Sequence, residues 1–594
     1  MNQKQRPSVF ASQISGSPAD AYLARKAPLG DNIGNIPFRS IKHSGGERNN
    51  RFGGKFAGLT FICDLLNQRV IQNRTIGGIE IKFMIPPTWE LPNGFHVDFI
   101  NHNKDIVTTG SHSSIRESFA KAKLPKSVTE ALRLIVRAAK SNVLVFRSDS
   151  FCEDGIHPFA GEFTTEFVVL KGTEEQKIEQ LGAAFKLVSA SLYEPRVQKL
   201  IEQLGLSSSE QWMSFVVEEV HGKEHIVTVD DQERRLFFPD FSMVAFSKCL
   251  APWNNKLERE DPIIRIGAGL GTYVVKKDRP CRVMPLRFPQ TPGPWESYVV
   301  SEVRKGATGD NELDEYADRT QGSFDAIDLV SGKVVEINFG SIQKSQLLEL
   351  FSNMVSGYSQ SRGMIEHLVS DIGDHTILRT TFMGDAKLNS EFYTKALLDL
   401  VALLKEEAGF DVDIELAVKI DGRTREVALL QNRPFGMSAD NSPVVLTEIS
   451  SNKIIAKADN CMGHGKQEFS LVAMVLEKHD GGRKLLAALN DLNPNEYVLI
   501  GPDASTSLSS GGVYQGCTAP GAVVDIQGTG NNVSDAGCHD FMNIAMKLVL
   551  PVNENKLNVG PLKGEIKNGI LVSRQKVKVE VNGETGKGQL FLLD

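Results

Sequence analysis

Lys55 in "FGGKFAGL", Arg147 in "VLVFRSDSFCEDGIHPFAG" and the charged residues of "DVDIELAVKIDGRTREVALLQNRPF" (residues 411–435) are side chains of the kinds that handle phosphates and hard metal ions. Alternation along a strand puts Asp413 and Glu415 on one face, and Gln431 and Arg433 likewise share a face. If the two strands pair around the Asp421-Gly422 turn, two carboxylates, an amide and a guanidinium converge. Carboxylate oxygens suit Mg²⁺, and a forked guanidinium suits phosphate. On its own such a hairpin is more commonly a solvent-facing strand pair with an ordinary ion pair. Lys55 follows a Gly-Gly turn, where flexible backbone can bring an ammonium to a phosphate. The turn is not a Walker A loop, because position 49 is Asn and position 56 is Phe. Arg147 leaves an apolar strand for a loop containing Glu153 and Asp154. Ser247 and Lys248 follow the apolar run "FSMVAF". Gly267, Gly269 and Gly271 punctuate "RIGAGLGTYVV", which fails as a dinucleotide fingerprint: its sixth position is Thr272, and "YVV" reads as strand where a helix is needed.

Recognisable elements must hold these residues in place. "SVTEALRLIVRAAK" is an amphipathic helix delivering the chain into "VLVF", with Ser127 and Glu130 spaced as a capping box. A helical pattern follows Lys55 through Leu59, Ile62 and Leu66. "EQKIEQLGAAFKLV" and "RVQKLIEQLG" read as helices, and "WMSFVVEEV" and "SGKVVEINFG" as strands. A long helix from Asn389 or Ser390 should stop at Gly409. This mixture predicts an α/β (α+β) fold. From about Ser442 the texture becomes Gly- and Ser-rich, which suggests a separate C-terminal domain.

The chain has 594 residues, too many for one core, with 41% hydrophobic and 23% charged residues and a net charge of −7. No apolar run is long enough to cross a bilayer, and "MNQKQRPSVFASQISGSPADAY" lacks the apolar core of a secretory signal. It reads as a polar leader. Seven scattered cysteines without a CxxC pair fit a reducing, cytoplasmic setting. "CMGH" offers too few ligands for a zinc site. A negative chain without a basic, aromatic-interleaved run gives no support for nucleic-acid binding, and nothing fixes the oligomeric state.

Taken in order, Gly53-Gly54-Lys55, then Phe146-Arg147-Ser148-Asp149 with Glu153-Asp154 and Phe159-Ala160-Gly161, then Gly269–Gly271, then Asp413-x-Glu415, then Gln431-Asn432-Arg433-Pro434, resemble the ATP-grasp nucleotide-binding domain of the phosphoenolpyruvate synthase and pyruvate phosphate dikinase family. The resemblance covers roughly residues 50–436. It implies an α/β ATP-grasp domain over residues 46–440, with two subdomains divided near 210. Residues 1–45 form the leader and 441–594 an additional C-terminal α/β domain. It further implies ATP and Mg²⁺ as cofactors and an unidentified small molecule or protein as acceptor. Arg147, Lys55 and Arg433 take the catalytic phosphate-binding roles. Asp413, Glu415 and Gln431 hold the metal or position phosphates. Glu218, Glu219 and Val220 line the adenine hinge, where the family usually has Gln at the position of Glu218. Lys248, Gly269 and Gly271 complete the nucleotide contacts, and Phe159–Gly161 shapes a loop over them.

Two departures stand out. Asp149 replaces a Ser and brings negative charge near the expected phosphates, and Met243 interrupts what is usually Ser-Gly-Val. Downstream, "SSGGVYQGCTAP" has the glycines of a phosphohistidine motif without its histidine. His539 fits a structural role better than phosphoryl acceptance, and too few residues remain for a pyruvate barrel as well. The tail resembles that of short stand-alone members, on Ile500-Gly501-Pro502 and Gly537–Phe541. The expected activity is Mg-ATP-dependent phosphoryl transfer. A catalytically impaired ATP-binding regulatory module and an ATP-grasp ligase stay open as alternatives. Arg147→Ala and Glu415→Ala are expected to impair Mg-ATP use without unfolding the chain.

Overall fold

The computed structural model describes residues 38–150, 163–203, 211–249, 252–253, 256–275, 279–293, 320–359, 364–366, 377–435, 444–459, 461, 463–476, 497–502, 522–527, 548–553, 557–567, 569–582 and 584–593. The leader up to residue 37, Glu153 and Asp154, Phe159–Gly161, the Gly/Ser-rich run 503–521, Gly537–Phe541 and His539 lie outside the described residues. The chain divides into two units, one of Met1–Ala245, Ile266–Val275 and Thr320–Pro434, the other of Phe246–Arg265, Lys276–Arg319 and Phe435–Asp594. The second unit thus draws on segments from both sides of residue 440.

The first unit opens with the strands β1 (Phe38–Ser40), β2 (Arg74–Ile76), β3 (Ile79–Met84), β4 (Thr88–Leu91), β5 (Val143–Ser150), β6 (Thr165–Val169) and β7 (Met213–Glu219). Five of them make a sheet in the order β1-β4-β7-β5-β6. The helices beside them are α1 (Gly54–Asn67), α2 (Asn93–His102), α3 (His112–Lys121), α4 (Lys126–Ala138) and α5 (Glu174–Ser191). Strand alternation divides this sheet chemically. Trp89, Leu91, Leu144, Phe146, Phe215 and Val217 share a core with Phe99, Phe119, Leu132, Ile135 and Phe185 from the four helices α2–α5. The alternate positions, Thr88, Glu90, Arg147, Asp149, Ser214 and Glu218, therefore occupy the opposite face.

The predicted hairpin is present as Val412–Asp421 and Thr424–Pro434, lying between Phe241–Phe246 and β3 in a second sheet. Its register opposes Asp413 to Arg433 and Glu415 to Gln431, with an irregularity between Glu415 and Leu416. Helix α1 packs on both the second hairpin strand and β5. The α/β class is as expected, and Gly409 ends the preceding helix Leu398–Ala408 at φ 78°.

Three local expectations are corrected. Helix α4 begins after Pro125, and Ser127 donates to Asp98 (2.6 Å) with no capping box, because Pro125 holds the N-cap position and Ser127 is already the second helical residue. "TYVV" continues a short helix, Gly271–Val275, and is not a strand. Lys55 sits in the first turn of α1 and is buried, so its backbone is helical.

In the second unit, Leu471–Val475, Tyr497–Pro502, Ala522–Gln527 and Leu548–Asn553 run parallel, and Ile570–Ser573 and Glu565–Lys567 extend that sheet antiparallel. A four-stranded antiparallel sheet, ordered Ile454–Ala458, Lys587–Leu592, Val577–Asn582, Gly465–Phe469, shares its core. Cys63, Cys249, Cys281 and Cys461 are buried thiols. No described helix is long and apolar enough to cross a membrane.

Buried His96 in α2 stacks on Tyr193 (ring centroids 5.9 Å apart), and burial pushes its pKa from the usual 6.5 down to about 4. The unfolded chain therefore takes up a proton between these values that the folded chain refuses, and stability falls as pH drops from 6.5 to 4. His96→Phe should remove about 3 kcal/mol of that pH dependence, read from urea midpoints across the window.

Candidate functional site

Arg147 projects from β5 toward side chains from three other strands. Its Nη1 donates to Glu218 Oε2 (3.3 Å) on β7 and to the Leu430 carbonyl (3.0 Å) on the hairpin. Its Nη2 donates to Glu415 Oε2 (2.9 Å) and Gln431 Oε1 (2.5 Å). Residues 268 and 284 positions away in sequence thus meet at one guanidinium. The side chains of Arg147 and Glu218 are 11% and 2% exposed, and that of Glu415 is 18% exposed. Burial raises the Glu218 pKa, the Arg147 charge opposes this, and Glu415 adds to the rise.

Two positions along β5, Asp149 is fully buried. Its carboxylate accepts the backbone N–H groups of Gly53 (2.8 Å) and Lys55 (2.9 Å) and the Ser214 hydroxyl (3.1 Å). It therefore caps α1 from a distant strand, satisfying donors that a helix start leaves unpaired. The charge expected to trouble bound phosphates is instead engaged at the base of the Lys55 helix. A Cβ at position 53 would lie 2.4 Å from Asp149 Oδ1, which explains the glycine there. Asp149→Ala should cost about 2 kcal/mol by leaving these helix-start donors without their acceptor, checked by thermal melts.

Asp413 and Arg433 pair with each other: Arg433 donates through Nε (2.8 Å) and Nη2 (2.7 Å) to Asp413 Oδ2, and the side chains are 0% and 5% exposed. Their convergence follows from the hairpin register. The Glu219 carboxylate accepts the N–H groups of Lys140 (2.6 Å) and Ser141 (3.1 Å). The N–H groups of Glu219 and Val220, in the stretch expected to line the adenine hinge, go to the carbonyls of Pro87 (2.9 Å) and Val143 (3.0 Å). Gly269 adopts φ 81°, and a Cβ there would lie 2.7 Å from the Asp325 carbonyl. The Gly269 carbonyl accepts from Ser242 Oγ (2.8 Å), and Thr272 beside Gly271 bonds Asp325 (2.8 Å). Met243 is buried on the strand that carries Ser242. Lys248 belongs to the second unit.

The sequence reading missed Glu90. It is buried on the polar face, where Ser40 Oγ donates to its Oε2 (2.5 Å) and its Oε1 has no hydrogen-bond partner among the described residues. Burial raises its pKa well above the usual carboxylate range, with Asp149 adding to the effect. The available signal was the alternation of Thr88 and Glu90 in "TWEL".

Cations set among carboxylates and an amide, on a face shielded by α1, suit an anionic ligand carrying a hard metal ion. The profile of the family described as pyruvate phosphate dikinase, AMP/ATP-binding domain, matches residues 51–453, more than half of the chain. The chain belongs to this dikinase AMP/ATP-binding family. No curated protein matches it. The dikinase match contains β5, α1 and the hairpin, which supply Arg147, Lys55, Asp413, Glu415, Gln431 and Arg433.

Among the described residues no group of three or more His, Cys, Asp or Glu is placed to hold a metal ion. Glu415 and Gln431 are nonetheless all-oxygen donors brought together at Arg147. Mg²⁺ commonly takes one or two carboxylates and completes its shell with waters and substrate phosphates, so the donor set fits a metal that arrives with a nucleotide.

Proposed function

We propose that the chain binds Mg-ATP through an ATP-grasp domain and acts as a dikinase-type phosphotransferase toward a small-molecule or protein acceptor. The convergence of Arg147, Glu415 and Gln431 carries this reading, supported by the family match. Arg147 and Lys55 bind phosphate oxygens, and Arg433, held by Asp413, supplies a further positive charge. Glu415 and Gln431 hold Mg²⁺, whose charge offsets that of the phosphates. Gly269 and Gly271 shape the backbone near the nucleotide. The work is alignment and charge neutralisation, as phosphoryl transfer requires. With the amides of Glu219 and Val220 engaged in the sheet, adenine recognition falls to other groups at the C-terminal end of β7.

The test is incubation of the full chain with Mg-ATP, followed by chromatography of the nucleotides. AMP is the expected product. ADP would reassign the chain to a kinase or an ATP-grasp ligase. Unchanged ATP with measurable binding would reassign it to a regulatory module, and absence of binding would overturn the nucleotide reading.

A further inference from the structure

The contacts of Arg147 are unequal in a way that the proposed Mg-ATP reading does not use. The Nη1 side rests on Glu218, whose side chain is 2% exposed, and on a main-chain carbonyl inside the hairpin sheet. Neither partner can leave cheaply: a buried carboxylate stripped of its cation is costly, and the register skips Leu430 at the hairpin's irregularity, so Arg147 supplies its carbonyl with the donor that the ladder does not. The Nη2 side rests on Glu415, 18% exposed at its side chain, and on the amide oxygen of Gln431. These are the two oxygens proposed for the metal. While Nη2 holds them, they are neutralised by the protein's own cation, and Nη2 is itself withheld from a phosphate.

We propose that Arg147 is a two-ended clasp: Nη1 stays on Glu218 and the Leu430 carbonyl, while Nη2 passes from Glu415 and Gln431 to a nucleotide phosphate when those two side chains turn to a divalent cation. The inference rests on the nucleotide reading and adds its regulation. Glu218 is a positioning residue, and Glu415 is the exchangeable partner. The exchange keeps every charge paired at both ends. A bare nucleotide offers phosphate to Nη2 but strands Glu415 beside that anion. A bare cation takes Glu415 but finds too few protein ligands, since no described group of three acidic, His or Cys side chains holds a metal alone. Each ligand therefore binds well only with the other, which is a reciprocal coupling free energy.

Calorimetric titration of the full chain with ATP, in excess chelator and in excess Mg²⁺, measures this coupling. Wild type should bind ATP at least about tenfold more tightly with Mg²⁺, within the usual range for coupled sites. Glu415→Gln, close in shape and partly exposed, loosens Nη2. It should bind metal-free ATP more tightly than wild type, bringing the two affinities together. Glu218→Gln weakens the fixed end in both conditions, so it should lower both affinities and leave their ratio unchanged. Thermal melts of each variant check folding. Equal wild-type affinities with and without Mg²⁺, or a Glu415→Gln variant without gain in metal-free affinity, would overturn the clasp while leaving the nucleotide site standing. Absence of ATP binding under either condition would remove the nucleotide reading, and the clasp with it.

Discussion

Arg147→Ala should abolish Mg-ATP turnover and also lower unfolding stability by about 3–5 kcal/mol, the cost of leaving a buried charge without its partner. The sequence alone led to an expectation of impaired activity in an otherwise undisturbed fold. The structure changes the second half, because Arg147 joins β5 and β7 to the hairpin through Glu218, Leu430, Glu415 and Gln431. Truncation strands the Glu218 carboxylate, already held above its usual pKa by burial. Much of the loss should therefore return in the double variant Arg147→Ala/Glu218→Gln, whose amide needs no counter-charge, while turnover stays absent. Arg147→Lys keeps the charge but not the fork, so it should retain more stability than activity. Urea unfolding curves and nucleotide chromatography read the two effects separately. An Arg147→Ala protein with wild-type turnover would remove Arg147 from the site.

What could be read from the sequence divides along the range of the interactions. The hairpin was legible because Asp421-Gly422 is a local turn signal and alternation fixes which residues share a face. The pairings of Asp413 with Arg433 and Glu415 with Gln431 follow once the register is set. The family's motif order then joined Arg147 to that hairpin, although propensity says nothing about a contact across 268 positions. The role of Asp149 was not legible. Its acceptors' donors lie 94 and 96 residues earlier, at the start of a helix whose first turn looked like a flexible loop. Ser127 misled for the opposite reason: its spacing to Glu130 matched a local motif, and its hydroxyl was claimed by Asp98 on a neighbouring helix. Glu90 was passed over because "TWEL" is short and its neighbours are apolar: the alternation with Thr88 was the one local signal, and the sheet order is what turns it into a carboxylate on the buried polar face.

The other large effect is expected far along the hairpin, at a network with no proposed part in ligand binding. Asp385 and Arg425, with side chains 4% and 5% exposed, form a bidentate pair (Nη2–Oδ1 2.7 Å, Nη1–Oδ2 3.2 Å). Tyr393 Oη (2.5 Å) and Asn389 Nδ2 (2.7 Å) also donate to Asp385, and the guanidinium lies 4.3 Å from the Phe392 ring centroid. Asp385→Ala removes the acceptor of all these donors and leaves Arg425 charged in an apolar setting, a cost of about 3–5 kcal/mol. Asp385→Asn keeps one carbonyl acceptor and should cost less. The double variant Asp385→Leu/Arg425→Met should cost less than the sum of the single changes, because it removes both charges together and fills much of their volume. Urea midpoints measure the wild type, these variants and the single changes Asp385→Leu and Arg425→Met. ATP titration of the folded variants supplies the contrast with Arg147: the Mg²⁺ dependence of binding should survive here, since neither residue touches Glu415, Gln431 or Glu218. A single and a double variant of equal stability would show that the network's stabilisation comes from packing and not from charge pairing.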